Sequence, residues 1–296
     1  MADADRLSID AAQARLLLSE QCPTLADLEI VPCPVGGTAH VLFRLGRELA
    51  IRFPTSAAAA TQCRKEQAWL PRIAPMLSVP ISTPLFVGEA TERFLGPWSV
   101  VPWLEGEAAW SASHANRDAL GSSVARFINE LSTFDAAGGP VPGDHNFGRG
   151  VPLTERDAAT RTALDQIADA VPVERLAAIW ERSLDAEAAV DHAWIHGDLH
   201  GGNLIVASGD LAGVIDFGGL AVGDPACDLA FAWFELGPRQ RQAFRAATGA
   251  DDARWARARG WALSIAAIQL PYYRDRHPHI ERLARRTLAQ VLEDDR

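Results

Sequence analysis

The stretch from 193 to 208 constrains the fold more than any other part of the chain. It reads A-W-I-H-G-D-L-H-G-G-N-L-I-V-A-S, so an apolar segment leads into a polar loop with three glycines, and a second apolar segment follows. A core requires the apolar residues, but it does not require histidine, aspartate and asparagine between them. We therefore expect two short strands joined by a functional loop.

Asp216 stands at the end of a further apolar run, in G-V-I-D-F-G. A Ser-Gly-Asp turn signal at 208–210 separates two apolar runs, so residues 204–216 are predicted to form a β-hairpin. Because a hairpin brings its ends together, Asn203 and Asp216 should lie side by side. Asp198 stands just upstream in the same loop. Two carboxylates and a carboxamide at the mouth of a hairpin are oxygen ligands of the kind that Mg²⁺ takes when it bridges to phosphate.

The spacing of these residues resembles a known catalytic loop. Four residues separate Asp198 from Asn203, as in protein kinases, and the D-F-G that begins at Asp216 matches the motif that follows in those enzymes. An H-G-D ending at Asp198, with His200 two residues on, resembles the aminoglycoside and macrolide phosphotransferase family, the antibiotic kinases. The G-D-P-A-C-D-L at 223–229 strengthens this resemblance, which extends more weakly over nearly the whole chain.

The resemblance implies an α+β, bilobal, protein-kinase-like fold. Residues 1–102 would form the nucleotide-binding N-lobe, a five-stranded antiparallel sheet with helices, and residues 103–296 a mostly helical C-lobe with the catalytic loop and the acceptor site. The apolar patterns agree with it. Strands are predicted at 28–35, 39–45, 48–53, 85–87 and 98–103. Helices are predicted near 7–21, 57–77, 114–134, 154–170, 173–190, 225–236, 238–248, 251–273 and 278–293.

The resemblance also implies a role for each polar residue of the loop and its hairpin. Asp198 would be the catalytic residue that accepts the proton of an acceptor hydroxyl or orients that hydroxyl. Asn203 and Asp216 would hold Mg²⁺ against the phosphates of the phosphoryl donor, ATP or GTP. The pattern does not distinguish the two nucleotides.

Other residues near the loop are expected to support it. His196 should brace the loop, Asp228 should brace it from the following helix, and Asp224 should cap that helix. His200 has no assigned role beyond support. Gly201 stands where relatives commonly carry proline, so it should leave the loop more flexible.

The resemblance places a phosphate-binding cation on the third strand, where this chain has Arg52. Its single lysine is Lys65, so no shift of the alignment supplies a lysine there. A guanidinium is always charged and grips phosphate with two donors, so Arg52 is a credible substitute, the alternative being an arginine that extends from a strand edge. Glu66 would orient Arg52 through an ion pair. Pro71 and Pro75 predict that the helix ends near or just past Glu66 and Trp69.

Two further segments would complete the nucleotide site. Gly36, Gly37 and Thr38 form the first turn, whose backbone N–H groups would cover the phosphates. The turn lacks the full G-x-G-x-x-G pattern, so a plain hairpin turn is the alternative. Val100 and Val101 would form the hinge whose backbone meets the nucleotide base.

Composition bounds the class of protein and its partners. With 48% hydrophobic and 22% charged residues, the chain is ordinary globular material, and no apolar run reaches the length of a membrane span. The N-terminus, M-A-D-A-D, is acidic where a signal peptide would be basic, so we expect a cytoplasmic protein without a membrane partner. Four scattered cysteines predict reduced thiols.

The net charge of −10 argues against a nucleic-acid partner, because a phosphate backbone requires clustered lysine and arginine. The negative charge would attract a cationic acceptor such as an aminoglycoside. The alternative is that the charge serves only to keep the protein soluble. The sequence does not indicate an oligomeric state.

Zinc is an alternative on spacing alone, because His192, His196 and His200 recur every four residues, as on one helix face. Glycines within the loop interrupt any helix there, so these residues favour a loop over a zinc-binding helix.

The sequence contains neither a G-x-S-x-G elbow nor a G-x-x-x-x-G-K-[ST] loop, which disfavours a serine hydrolase and a P-loop enzyme.

Three functions agree with these patterns. The first is an antibiotic kinase that phosphorylates a hydroxyl of an aminoglycoside or macrolide. The second is a housekeeping kinase of the same fold that acts on an amino alcohol, a sugar or an amino sugar. The third is a pseudokinase that binds nucleotide without transfer; the three retained polar residues Asp198, Asn203 and Asp216 argue against it.

Overall fold

The computed structural model describes residues 7–33, 39–112, 116–186 and 192–295. The predicted phosphate-covering turn of Gly36, Gly37 and Thr38 lies outside these residues, so its role stays a prediction.

Five short strands in the first third of the chain form one antiparallel sheet. Its strands are β1 (Ile30–Pro32), β2 (His40–Leu45), β3 (Leu49–Pro54), β4 (Phe86–Gly88) and β5 (Trp98–Pro102). Their order across the sheet is β1-β2-β3-β5-β4. In the β2–β3 pair Leu42 lies opposite Arg52, and in the β3–β5 pair Arg52 lies opposite Ser99, so Arg52 stands on the central strand.

Helices dominate the rest of the chain. They are α1 (Ala11–Gln21), α2 (Ala57–Ile73), α3 (Arg117–Ser132), α4 (Asp157–Gln166), α5 (Val173–Asp185), α6 (Ala226–Leu229), α7 (Phe231–Glu235), α8 (Pro238–Thr248), α9 (Asp252–Tyr273) and α10 (Pro278–Glu293). The predicted helix over 225–236 is divided into α6 and α7, because the turns at Ala230 close with tighter hydrogen bonds of the i to i+3 type.

Helix α2 runs past the point predicted from its prolines. It includes Pro71 and ends at Ile73, whereas the prolines predicted an end near or just past Glu66 and Trp69. Pro71 has no N–H group to donate to the carbonyl four residues earlier, so this turn lacks one helix hydrogen bond. The same turn buries Leu70 and Ile73 completely in the larger of two hydrophobic clusters, which offsets the loss.

Two hydrophobic clusters hold the structure together. The smaller lies between α1 and the sheet and includes Leu17, Phe53 and Trp98. The larger lies among the helices that follow and includes Trp194 and Trp261. The end of α2 belongs to the larger cluster. The division between residues 102 and 103 stays a prediction.

Short strands position the functional loop. They are β6 (Glu107–Ala108), β7 (Ala193–Ile195), β8 (Leu204–Ala207), β9 (Asp210–Val214) and β10 (Ala221–Gly223). Strands β8 and β9 form the predicted hairpin, with Leu204 opposite Val214. The loop 196–203 therefore connects β7, which pairs with β10, to the first strand of this hairpin.

The remaining sequence predictions concern cysteines and membranes. All four cysteines are free thiols, as predicted. Within the described ranges, no helix is both long enough and apolar enough to cross a bilayer.

Candidate active site

Two buried carboxylates hold the backbone of the loop 196–203. Asp228 in α6 accepts hydrogen bonds from the backbone N–H groups of His196 over 2.7 Å and of Gly197 over 2.8 Å. Gly197 has a φ of 81°, and a Cβ there would approach the carbonyl oxygen of Gly219 to 2.4 Å. Burial raises the pKa of Asp228 to about 7. The predicted brace from Asp228 is therefore present, and it requires a glycine at 197.

Glu235 in α7 holds the second half of the loop, and the sequence reasoning missed it. Its side chain is buried, and Oε1 accepts hydrogen bonds from the Gly201 N–H and from the Trp110 indole, both over 2.7 Å. A Cβ at Gly201 would meet the Trp110 ring at 2.2 Å. Gly201 is therefore closely packed rather than a source of flexibility, and a proline would lose its N–H bond.

His196 lies in the core beneath the loop. Its Nδ1 accepts a hydrogen bond from the Asp198 N–H over 3.2 Å, so its Nε2 carries the proton and donates to the Ile215 carbonyl over 3.1 Å. Burial lowers the pKa of His196, which favours the neutral ring. His196 thus connects the loop to β9, as a bracing residue should.

Asp198 is the most exposed polar side chain of the loop's centre, with 42% of it accessible to solvent. Its Oδ2 lies 3.4 Å from Nε2 of His200 and 3.4 Å from the amide nitrogen of Asn203. Removal from water alone would raise the pKa of Asp198, but His200 and Arg149 lower it below its usual range. The carboxylate is therefore ionised, open to solvent and fixed in direction.

His200 contacts Asp198 directly, a role that the sequence did not assign. Its ring stacks on Trp110 with centroids 4.6 Å apart, and its Nδ1 accepts a hydrogen bond from the Gly202 N–H. Nε2 therefore carries the proton that faces Asp198. Burial alone would lower the pKa of His200, but the charge of Asp198 raises it.

Asn203 and Asp216 lie where the hairpin was predicted to bring them. The Ile215 N–H donates to the Asn203 carbonyl over 3.0 Å, so Asp216 is the next residue after this contact. The amide nitrogen of Asn203 donates to the Asp198 carbonyl over 3.0 Å, which leaves the amide oxygen available as a ligand. Asp216 has a φ of 62°, a left-handed conformation that is uncommon outside glycine. These oxygens have the chemistry that Mg²⁺ requires.

In the part of the chain that the structure describes, no three histidine, cysteine, aspartate or glutamate side chains form a group able to hold a metal ion. The zinc alternative therefore finds no ligand set among these residues. His196 and His200 have the other partners described above.

Arg52 and Glu66 form a buried ion pair. The Arg52 guanidinium donates to Oε2 of Glu66 over 2.7 Å and to Oε1 over 3.5 Å. Burial alone would lower the pKa of Arg52, but Glu66 and Asp216 raise it. The pair was predicted, and its role in binding nucleotide stays a prediction.

Lys65 connects α2 to the D-F-G segment. Its ammonium donates to the Gly218 carbonyl over 2.8 Å and lies 3.0 Å from Nδ1 of His145. Burial lowers its pKa to about 8. The single lysine of the chain thus fixes the turn that follows Asp216 rather than replacing Arg52.

The predicted hinge residues lie inside the sheet. Val100 and Val101 are both buried in β5, and the Val100 carbonyl accepts a hydrogen bond from the Leu85 N–H over 2.8 Å. Their contact with a nucleotide base stays a prediction.

A loop over 143–150 approaches Asp198 from the other side. Asn146 is completely buried, and its amide donates to the carbonyls of Arg149 over 2.8 Å and of Gly219 over 3.3 Å. Arg149 consequently lies with a guanidinium nitrogen 4.0 Å from Oδ1 of Asp198. Sequence reasoning assigned no residue of this loop to the site, because its polar residues and glycines show no periodicity.

Aromatic side chains flank the same carboxylate. Burial, Tyr272 and the charge of Asp198 together raise the pKa of Tyr273. Trp110 stacks on His200 and contacts His279, with ring centroids 4.4 Å apart. Trp110 therefore packs between His200, which contacts Asp198, and His279.

A model of the phosphotransferase enzyme family matches residues 29–261, which include the sheet, the loop, the hairpin and most of the helices. The chain belongs to this family. The match includes Arg52, Glu66, Arg149, the loop 196–203, Asp216, Asp228 and Glu235, whereas Tyr273 and His279 lie beyond it. A search of curated proteins gave no match to this family member.

Solved structures of antibiotic kinases share the fold of this family member. The GDP complex of wild-type aminoglycoside 2'-phosphotransferase-IIIa has a TM-score of 0.72 and 19% identity, covering 97% of this chain and 100% of that chain. The apoenzyme of macrolide 2'-phosphotransferase MphH from Brachybacterium faecium has a TM-score of 0.62 and 19% identity, covering 94% of this chain and 98% of that chain. ADP-bound aminoglycoside phosphotransferase APH(2'')-Ib has a TM-score of 0.59 and 18% identity, covering 96% of this chain and 98% of that chain. The predicted kinase-like fold is confirmed.

Proposed function

We propose that this phosphotransferase moves the γ-phosphoryl group of a nucleoside triphosphate to a hydroxyl of a small molecule. The observation that carries the proposal is Asp198, an ionised carboxylate that is open to solvent and held by a loop that two buried acids fix in place. A general base must reach the proton that it accepts and must be ionised when the substrate binds. Asp198 meets both requirements.

The reaction follows from this base. The acceptor oxygen forms a bond to the γ-phosphorus while the bond from that phosphorus to the β–γ bridging oxygen breaks. The electron pair of the broken bond leaves with the nucleoside diphosphate, and the hydroxyl proton passes to Asp198. Alignment and neutralisation of charge supply most of the catalysis in such transfers.

Asn203 and Asp216 would hold Mg²⁺ through the free amide oxygen and the carboxylate. The metal would neutralise charge on the donor phosphates when bound. Asn203 is fixed by its bond to the Asp198 carbonyl, and Asp216 by the backbone of the hairpin. This arrangement would place both ligands before the metal binds.

Arg52 would bind the phosphates of the donor, with Glu66 fixing its direction. The guanidinium has five N–H donors, and Glu66 occupies only one side of it. Nucleotide complexes of structural neighbours, with GDP in one and ADP in another, support a nucleotide donor, and both ATP and GTP remain candidates.

An aminoglycoside or a macrolide is the acceptor that we favour. The structural neighbours include kinases named for each class, and the net charge of −10 would attract a cationic acceptor. Aromatic groups beside Asp198 suit an acceptor with an apolar face. A housekeeping acceptor such as an amino alcohol or a sugar is the alternative, and a cytoplasmic location stays a prediction.

The proposal is tested by nucleoside diphosphate release with Mg²⁺, using ATP and GTP separately against aminoglycosides, macrolides, amino alcohols and sugars. Mass spectrometry of the acceptor would identify the phosphorylated product. Acceptor-dependent release by the wild type, lost in Asp198→Asn, is the expected result. Bound nucleotide without release for any acceptor would favour the pseudokinase.

A further inference from the structure

The side chain of Arg149 lies beside the proposed base without a direct bond to it. Only 14% of this side chain is exposed, and its nearest guanidinium nitrogen is 4.0 Å from Oδ1 of Asp198. A direct hydrogen bond between nitrogen and oxygen spans about 2.7–3.2 Å. The two groups are therefore close enough to attract each other but too far apart to be hydrogen-bonded.

The donors of Arg149 are unused among the residues that the structure describes. A guanidinium carries five N–H donors. Within the described ranges, its only polar side-chain contact is the 4.0 Å approach to Asp198. None of its nitrogens is among the fully buried polar atoms that lack a partner, so solvent or a substrate group can reach them. These free donors therefore lie beside the proposed base in a position that a substrate oxygen can occupy.

The backbone holds Arg149 in this position. The Asn146 amide donates to the Arg149 carbonyl over 2.8 Å, and the Arg149 N–H donates to the Asn146 carbonyl over 3.1 Å. The Asn146 side chain also accepts from the Gly143 N–H over 2.9 Å. These bonds fix the residue from which the guanidinium extends.

The two oxygens of Asp198 have different surroundings. Oδ2 faces His200 and Asn203, both at 3.4 Å, whereas Oδ1 faces Arg149. The guanidinium nitrogen and Oδ1 are 4.0 Å apart. One oxygen atom can therefore lie about 2.7 Å from Oδ1 and about 2.9 Å from the nitrogen at the same time. A hydroxyl group fits there: it would donate its proton to Asp198 and accept from Arg149.

We propose that Arg149 is a further catalytic residue, which binds the acceptor hydroxyl oxygen while that hydroxyl donates to Oδ1 of Asp198. This inference rests on the proposed function. A hydroxyl oxygen has two lone pairs, so with one bound to Arg149 and the proton directed at Asp198, the second lone pair is free to attack phosphorus. The guanidinium also stabilises the negative charge that develops on the oxygen as its proton leaves.

The experiment compares wild type with Arg149→Ala, Arg149→Lys and Asp198→Asn. Arg126→Ala, an exposed arginine on α3, is the matched control. Nucleoside diphosphate release from Mg²⁺-ATP is measured without acceptor, when water takes the place of the hydroxyl, and with the best acceptor of the panel. Nucleotide affinity and the melting temperature are measured in parallel.

We expect Arg149→Ala to lower both rates about 10²-fold, the loss typical of removing one donor from a developing oxyanion. The acceptor KM should rise while nucleotide affinity stays the same. Arg149→Lys should retain more activity than Arg149→Ala, and added guanidinium ion should partly restore Arg149→Ala but not Asp198→Asn. Arg126→Ala should match the wild type.

Two results would overturn the inference while leaving the proposed function intact. One is release by Arg149→Ala at the wild-type rate, with Asp198→Asn inactive. The other is a loss that guanidinium does not restore and that accompanies a lower melting temperature, which would make Arg149 structural. No release by the wild type, with or without acceptor, would refute the proposed function and this inference with it.

Discussion

The guanidinium of Arg52 donates to the Glu66 carboxylate over 2.7 Å, between a central strand of the sheet and the helix beside it. Both side chains are almost fully buried. A buried ion pair stabilises a fold only while both partners are present, because the loss of one leaves an uncompensated charge. This pair fixes the direction of Arg52, which we propose as the phosphate clamp.

Two replacements of Arg52 distinguish the effect of its positive charge from the effect of its planar guanidinium group. Arg52→Ala is expected to raise the nucleotide KM far more than Arg52→Lys, since lysine keeps a positive charge. Arg52→Ala should also lower the free energy of unfolding by about 3–5 kcal/mol, because Glu66 is left buried and unpaired. Steady-state kinetics and urea denaturation measure the two effects. Arg44→Ala, which breaks a pair with the exposed Glu105, is the control. Equal and small KM changes in both Arg52 variants would show that Arg52 is not the phosphate clamp.

Asp216→Ala should abolish Mg²⁺-dependent nucleotide binding, because it removes the charged oxygen ligand of the proposed metal. Asp210→Ala is the matched control, since Asp210 is an exposed aspartate at the start of β9 in the same hairpin. Calorimetric titration of Mg²⁺ in the presence of nucleotide distinguishes them. An unchanged titration in Asp216→Ala would defeat the ligand assignment.

Asp228→Ala should remove the two hydrogen bonds that hold the backbone of the loop 196–203. Two buried N–H groups, those of His196 and Gly197, would lose their acceptor, at a cost of about 1–3 kcal/mol each. We expect a lower melting temperature together with a fall in kcat. Asp165→Ala, at an exposed position on α4, is the control. Wild-type kcat in Asp228→Ala would show that the brace does not position Asp198.

The burial of Lys65 predicts a pH dependence of stability. Its pKa is lowered to about 8 in the folded chain, from an ordinary value near 10.5. Between these values the unfolded chain holds a proton that the folded chain has lost, so the free energy of unfolding should rise with pH, by at most about 1.4 kcal/mol per unit. Lys65→Met should lack this rise. Denaturation of the wild type and of Lys65→Met, each measured from pH 7.5 to pH 10.5, tests this prediction. If the free energies of unfolding of the two proteins changed in parallel with pH, the prediction would be contradicted.

The sequence predicts those parts of the site that local patterns determine. The hairpin after Asn203 follows from a turn signal between apolar runs, and helix α8 has the predicted bounds because proline begins it and glycine follows it. Asp228 and the Arg52–Glu66 pair were predicted from spacing that the family resemblance supplied.

Contacts between distant parts of the chain could not be predicted in this way. Trp110 and Glu235 meet across 125 residues to hold Gly201, and the loop that carries Arg149 reaches Asp198 only through the fold of Asn146 against Gly219. Glu235 had one available signal, since it follows Asp228 by seven residues, two helical turns later. Pro71 misled the prediction for α2, because burial of Leu70 and Ile73 outweighs the lost hydrogen bond.

The central claim is that Asp198 is the base of a phosphoryl transfer, and Asp198→Asn tests it most directly. The variant keeps the size of the side chain and the contacts of the loop but removes the charge. We predict that nucleoside diphosphate release with Mg²⁺ falls at least about 10²-fold in kcat, while nucleotide affinity measured by calorimetry stays the same. Turnover of the variant at a rate near that of the wild type would remove Asp198 from the catalytic role and contradict the account.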